Sequence, residues 1–154
     1  MSTKLYSNKQ ERTVAEYLDW RQVSGSGSRP TVTGDIEGAE WLGECKTHTS
    51  PGHRIEFLIK TWDKIIDEAS TKFKQACYIV DDGSQKIENT WVMFLAQAVS
   101  SRFTVVEYPY PIYKSTTFEH LEMKARTPEN TIYQLHFGAY DVMICSLVTF
   151  SNLL

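Results

Sequence analysis

The sequence predicts an α/β fold built on a mixed sheet, and three observations predict it. A helical pattern near the N-terminus is followed by a hairpin-like stretch at 34–47. A long run of apolar residues at helical spacing then opens at Ile55. Directly after it comes the compact apolar strand ACYIV at 76–80. Helix, hairpin, helix and strand in that order suit layered α/β packing, in which each helix buries its apolar stripe against a sheet.

Residues 8–20 read as a helix, with Val14, Tyr17 and Leu18 sharing one face. Asn8 is the candidate N-cap, and Gln10 and Glu11 fall in the first turn, where an acidic group suits the helix dipole. The Gly- and Ser-rich stretch VSGSGSRPTVTG (23–34) is a loop. GDIEG then reads as a short extended piece, AE as the turn and WLGECKT as the second strand of a hairpin. After HTSPGH, the residues Ile55, Leu58, Ile59, Trp62, Ile65, Ile66, Ala69 and Phe73 recur at helical spacing. They predict a helix of about five turns. DDG at 81–83 stops the strand ACYIV. ENTWVMFLAQAVSS has an ambiguous period, with a strand followed by a helix as one reading. RFTVVEY (102–108) reads as a strand that PYP breaks. IYQLHF and YDVMICSLVTF read as two late strands or as a strand and a helix. ENTWVMF and ENTIYQLHF echo each other over too short a span to make a repeat.

A chain of 154 residues fits one domain with a substantial core. Hydrophobic residues at 42% and charged ones at 23% match an ordinary soluble globular protein. No uncharged apolar run reaches about 18 residues, so no membrane span is expected. The polar start MSTKLYSNKQER lacks the apolar core of a secretory signal, which predicts an intracellular, cytoplasmic protein. Cys45, Cys77 and Cys145 are odd in number, far apart and free of CxxC spacing, and are expected as buried thiols. The net charge of −3 is unlike that of a typical nucleic-acid binder. Acids and bases balance up to residue 74, and the acidic excess lies beyond it. Some acids of the first half are candidate metal ligands, and a divalent ion would offset part of their charge. The composition permits DNA binding without arguing for it.

Chemistry concentrates in GDIEGAEWLGECKT, residues 34–47. On a strand, side chains alternate faces, so Glu44 and Lys46 project together while Cys45 points to the core. Asp35, on the preceding strand, can bring its carboxylate to that of Glu44. Two converging carboxylates make a hard-oxygen site suited to Mg²⁺, with Mn²⁺ as a substitute and the main-chain carbonyl of Cys45 as a further oxygen. Lys46 beside the ion can orient or deprotonate a water, or offset charge on an attacked phosphorus. A solvated strand face alternates Glu and Lys in the same way, so the spacing alone does not decide.

Motif order adds to the spacing. QERTVAEYL, SGSGS, GDI, ECKT, WDKIIDEA and a strand ending YIVDDG follow one another from about Gln10 to Asp82. In that order the chain resembles the PD-(D/E)xK nucleases and, more narrowly, phage and archaeal-type Holliday junction resolvases. The resemblance implies a restriction-endonuclease-like mixed central sheet flanked by helices, in one nuclease domain spanning 1–154. It covers roughly half of the chain and leaves 103–154 uninterpreted. It implies that Asp35, Glu44 and Lys46 bind metal and activate water, with Glu11 completing the metal site. Glu16 is the competitor on the same helix, and Glu11 fits the pattern better. A serine of the Gly/Ser loop would contact the scissile phosphate; Ser26 is the closest match, with Ser24 and Ser28 as alternatives. Lys64 and Glu68 match a KIxxEA element and share a helical face. They either reach the site, where Lys64 would bind substrate, or pair on the surface. Gly34 stands where the family usually has proline.

The expected activity is Mg²⁺-dependent DNA cleavage. Its expected substrate is a four-way junction, which implies a homodimer with two sites. The alternatives are a nuclease of the same fold acting on nicked, single-stranded or linear DNA, and a non-catalytic DNA-binding or assembly protein. His48 and His53 flank the ExK strand as ordinary loop histidines or phosphate contacts. The tryptophans and YPYPIY (108–113) suit core or interface packing better than base stacking.

Overall fold

The computed structural model describes residues 3–23 and 34–154. Its elements run, in order, as α1 (Thr3–Leu18), β1 (Arg21–Gln22), β2 (Ile36–Glu37), β3 (Trp41–Lys46), β4 (Ile55–Leu58) and α2 (Ile59–Thr71). They continue as β5 (Gln75–Asp81), a 3-10 turn (Ile87–Asn89), β6 (Thr90–Leu95), β7 (Thr104–Glu107) and β8 (Ser115–Phe118). The chain closes with α3 (His120–Arg126), β9 (Thr131–Phe137), β10 (Tyr140–Ser146) and α4 (Leu147–Leu153).

Eight strands form one mixed sheet in the order β1-β2-β3-β5-β6-β10-β9-β7. β3 and β5 are parallel, with Glu44 level with Tyr78 and Lys46 level with Val80. The crossover between them carries α2, as a parallel pair requires. β7 is parallel to β9, and the remaining pairs are antiparallel. The α/β class with a mixed sheet and flanking helices is therefore what the chain adopts.

Side-chain alternation divides the core into two layers. Val14, Ala15 and Leu18 of α1 pack with Ile36, Cys45, Cys77, Ile79 and Phe94 of the sheet and Phe150 of α4 on one face. Trp62, Ile65 and Ala69 of α2 pack with Leu42, Tyr78, Val80, Trp91 and Met93 on the other. Buried on both faces, β5 reads as the continuous apolar run ACYIV rather than as an alternating one. The three cysteines are buried free thiols, as expected. Among the described residues, no helix is long and apolar enough to cross a membrane.

Several local expectations change. Helix α1 begins at Thr3, so Asn8 lies inside it and does not cap it. Contacts made by Tyr6 with residues 83–85 hold the extra turn in place. The helix expected from Ile55 begins at Ile59, because residues 55–58 pair with β8 instead. Ile55 and Phe57 are fully buried and alternate with exposed Glu56 and Leu58, which is strand periodicity. Phe73 is exposed and left-handed just past the helix, not on its buried face. The stretch after β6 carries no helix; Ala96 N–H instead donates to the carbonyl of Asp141 at 2.9 Å. At the end of the chain, YDVMICSLVTF divides into strand and helix, with the Ser146 hydroxyl capping α4 through Thr149 N–H at 3.1 Å.

Candidate active site

Three segments converge at the end of β3 where the parallel strands β3 and β5 finish. Such carboxyl ends of strands commonly form binding crevices in α/β sheets. The β2–β3 hairpin sets the first two acids. Asp35 N–H donates to Gly43 O at 2.8 Å, and one Asp35 carboxylate oxygen accepts from Cys45 N–H at 2.9 Å. The half-buried Asp35 is thus tied across the hairpin to the strand that carries Glu44 and Lys46. Glu44 is buried at 5% exposure, and Lys46 Nζ lies 3.4 Å from its Oε1. The thiol of Cys45 points into the core, and burial followed by the charges of Asp35, Glu11 and Glu44 pushes its pKa well up.

Glu11 comes from α1. It flanks the face that Val14, Ala15 and Leu18 bury, and its carboxyl group interacts with those of Asp35 and Glu44. Gln22 Nε2 donates to its Oε2 at 3.4 Å. Glu16 is exposed, about 140° further round the helix by the 3.6-residue period. Between the two candidates, the structure brings Glu11 to Asp35 and Glu44.

The electrostatics are unbalanced. Desolvation and the charge of Asp35 push Glu11 up to about 7. The same two causes raise Glu44 to about 7, against the lowering influence of Lys46 and Lys64. Burial and the neighbouring Asp35 thus disfavour the ionised forms of Glu11 and Glu44, and only Lys46 is in direct contact to offset them. The donor set is all oxygen, which fits a hard divalent ion. Among the described residues, no three His, Cys, Asp or Glu side chains are already gathered as a metal-holding group.

Lys64 pairs with Glu68 at 3.6 Å along α2, and its charge also lowers the pKa of Glu44. Glu68 in turn accepts Gly34 N–H at 2.9 Å, anchoring the start of the hairpin to α2. This explains the departure at position 34. Gly34 has φ +73°, and an added Cβ would lie 2.6 Å from Leu42 Cδ1. Proline, locked near φ −65° and without an N–H, would lose both the conformation and the hydrogen bond.

Ser24, Ser26 and Ser28 lie outside the described residues. His48 and His53 stack with ring centroids 3.9 Å apart, and burial together with the charge of His53 lowers the pKa of His48. Trp62 and Trp91 are core residues, whereas Tyr108, Tyr110 and Tyr113 are exposed. Two polar residues beside the site carry structure that residue spacing does not assign. Gln10, next to Glu11, is buried and donates from Nε2 to Lys46 O at 2.7 Å. Asp81, at the end of β5, is fully buried and accepts from Thr47 Oγ1 at 2.6 Å. Both stand in the motifs QER and YIVDDG, where a polar residue adjoins an apolar run.

Compared with models of known families, with curated proteins and with solved structures, the chain has no match.

Proposed function

We propose that the chain is a metal-dependent endonuclease that hydrolyses DNA phosphodiesters at the Glu11–Asp35–Glu44–Lys46 cluster. One arrangement carries this reading: on the β2–β3 hairpin Asp35 is tied to Cys45 N–H beside the buried Glu44, which has Lys46 at 3.4 Å. Glu11 of α1 interacts with both acids, so that burial and repulsion push Glu11 and Glu44 up to about 7. A fold pays for such crowding in stability and gains by it when a cation binds. Glu11, Asp35 and Glu44, with the main-chain carbonyl of Cys45, would hold Mg²⁺ or Mn²⁺. The ion, when bound, supplies charge compensation and an acidified water.

The chain's own residues do the rest. The Cys45 N–H fixes Asp35 by donating to its carboxylate, so this acid reaches the site in one orientation. Lys46, exposed beyond its contact with Glu44, stands where it can offset charge on the phosphate and orient the water. In the reaction, a water oxygen bonds to phosphorus, the phosphorus bond to the leaving oxygen breaks, and that oxygen takes up a proton. Lys64 stands next to the cluster as a phosphate contact, and Ser26 is proposed as a second one.

The preferred substrate in this reading is a four-way junction cut by two copies of the chain, since a junction offers two equivalent strands. Cleavage of a labelled four-way junction, with and without Mg²⁺ and beside a linear duplex, tests both levels. Mg²⁺-dependent cuts confined to the junction support the resolvase. Equal cutting of both leaves a general nuclease, and no cutting of either removes the enzymatic reading.

A further inference from the structure

Beside the carboxylate cluster, a buried polar chain of contacts links two of the elements that build it, α1 and β3, to the end of β5. Gln10, one residue before Glu11, donates from Nε2 to the Lys46 carbonyl at 2.7 Å. Thr47, the next residue, donates from Oγ1 to Asp81 Oδ1 at 2.6 Å, and Gly83 N–H donates to the same oxygen at 3.0 Å. Gln85 N–H also donates to the Asp81 carboxylate. The Gln85 side chain then donates from Nε2 to the Tyr6 carbonyl at 2.6 Å, and the Tyr6 hydroxyl donates to the Gly83 carbonyl. Tyr6 lies one helical turn before Gln10, so the contacts close on themselves: α1, the end of β3, the end of β5, the 83–85 turn and α1 again.

This arrangement is costly. Gln10, Asp81 and Gln85 are at most 8% exposed. Gln10 Oε1, Asp81 Oδ2 and Gln85 Oε1 accept no hydrogen bond there. Gln85 holds a left-handed φ of +60°, and Gly83 leaves room for no side chain, since a Cβ would sit 1.9 Å from Ser50 O. Each unsatisfied buried polar atom costs free energy that apolar residues at these positions would avoid. The polar set is therefore poor as a stabilising core and good as a gauge. It sets the height of α1 against the last residues of β3.

We propose that Gln10 and Asp81 are positioning residues: through the Lys46 carbonyl and the Thr47 hydroxyl they hold Glu11 at working distance from Glu44 and Lys46. The inference rests on the nuclease reading given above and adds that Glu11 is placed by this closed set of contacts rather than by packing alone. Neither residue touches substrate. Removing the contact lets the helix shift against the strand, and a displacement of about 1 Å at a catalytic group can cost about 10²-fold in rate.

The test uses the full chain and two readouts, the kcat and KM for junction cleavage and the Mn²⁺ concentration that half-saturates the rate. Gln10→Met keeps side-chain length and apolar packing and removes the amide. The expected result is a fall in kcat of about tenfold or more, with a higher Mn²⁺ requirement and DNA KM within about twofold of wild type. Asp81→Asn keeps an acceptor for Thr47, so it loses less than Asp81→Leu, which has none. Wild-type kcat and Mn²⁺ requirement in Gln10→Met overturn the proposal and leave the nuclease intact. If Asp81→Asn is as inactive as Glu44→Ala, Asp81 is a ligand, and its positioning role is overturned. An inert wild-type chain that takes up no Mn²⁺ by calorimetry removes the nuclease reading itself, and the proposal with it. Circular dichroism and the thermal midpoint of each variant separate misfolding from loss of position.

Discussion

Glu37 and Glu44 lie on neighbouring strands of one hairpin, both at most 6% exposed, yet their surroundings are opposite. Glu37 meets Arg21 across β1–β2, Lys74 Nζ at 3.1 Å and Lys72 Nζ at 3.6 Å. Lys74 also donates to the Gly38 carbonyl at 2.8 Å, which fixes its approach. Three cations surround one carboxylate. Glu44 has one lysine at 3.4 Å and is crowded by Asp35 and Glu11. A buried carboxylate with more cations than it needs fastens β2 to the loop after α2. A buried carboxylate short of cations stores repulsion that a ligand can relieve. The difference teaches that burial of an acid does not mark a site; the missing counter-charge does.

The largest test of this contrast is to delete each acid. In the proposed nuclease, Asp35→Ala or Glu44→Ala abolishes cleavage with the fold intact. DNA binding, followed by gel shift without metal, survives or improves as carboxylate–phosphate repulsion falls. Near-normal cleavage by either variant moves the site elsewhere.

The next effect belongs to Lys46. Its replacement by Ala lowers kcat by about 10²-fold, the usual loss for a donor that acts on transition-state charge. DNA affinity changes far less. Equal losses in rate and affinity make it an ordinary phosphate contact.

Glu37→Ala reads out on stability instead. Its cation partners are partly exposed, Arg21 at 71%, so the loss falls between those of a surface pair and a buried one, about 1–2 kcal/mol. Urea unfolding measures it. A variant that unfolds like wild type but cleaves nothing reverses the contrast between the two acids.

The mildest effect is on pH dependence. Glu11 and Glu44 have folded pKa values of about 7, above the ordinary value of 4.5. Between those limits the folded chain binds more protons than the unfolded one, so stability falls as pH rises. The stability these two groups contribute is complete below about 4.5 and lost as pH passes 7. In metal-free buffer the thermal midpoint should decline from pH 5 to 8, less steeply in Glu44→Gln. Mg²⁺ should recover part of the decline at pH 8, because the ion binds the ionised acids. A midpoint that climbs over this range contradicts the crowding of the acids.

Much of this was written locally in the chain. The hairpin at 34–47, the strand at 76–80, the opposite facing of Cys45 and Glu44, and the α/β class follow from side-chain period and turn residues over short spans. Tertiary structure decided what short spans could not. Residues 55–58 carry apolar groups that suit either period, and pairing with Ser115–Phe118, far along the chain, made them a strand. Glu11 and Glu16 are both acids on one amphipathic helix, and only docking of α1 on the sheet set Glu11 beside Asp35. Gly34 reads as a departure from a motif until its φ of +73° and its bond to Glu68 are seen. Gln10 and Asp81 lie 71 positions apart, and no local pattern could connect them. The physical reason is common to all four: periodicity reports which face a residue occupies, whereas a partner distant in sequence determines what that face meets.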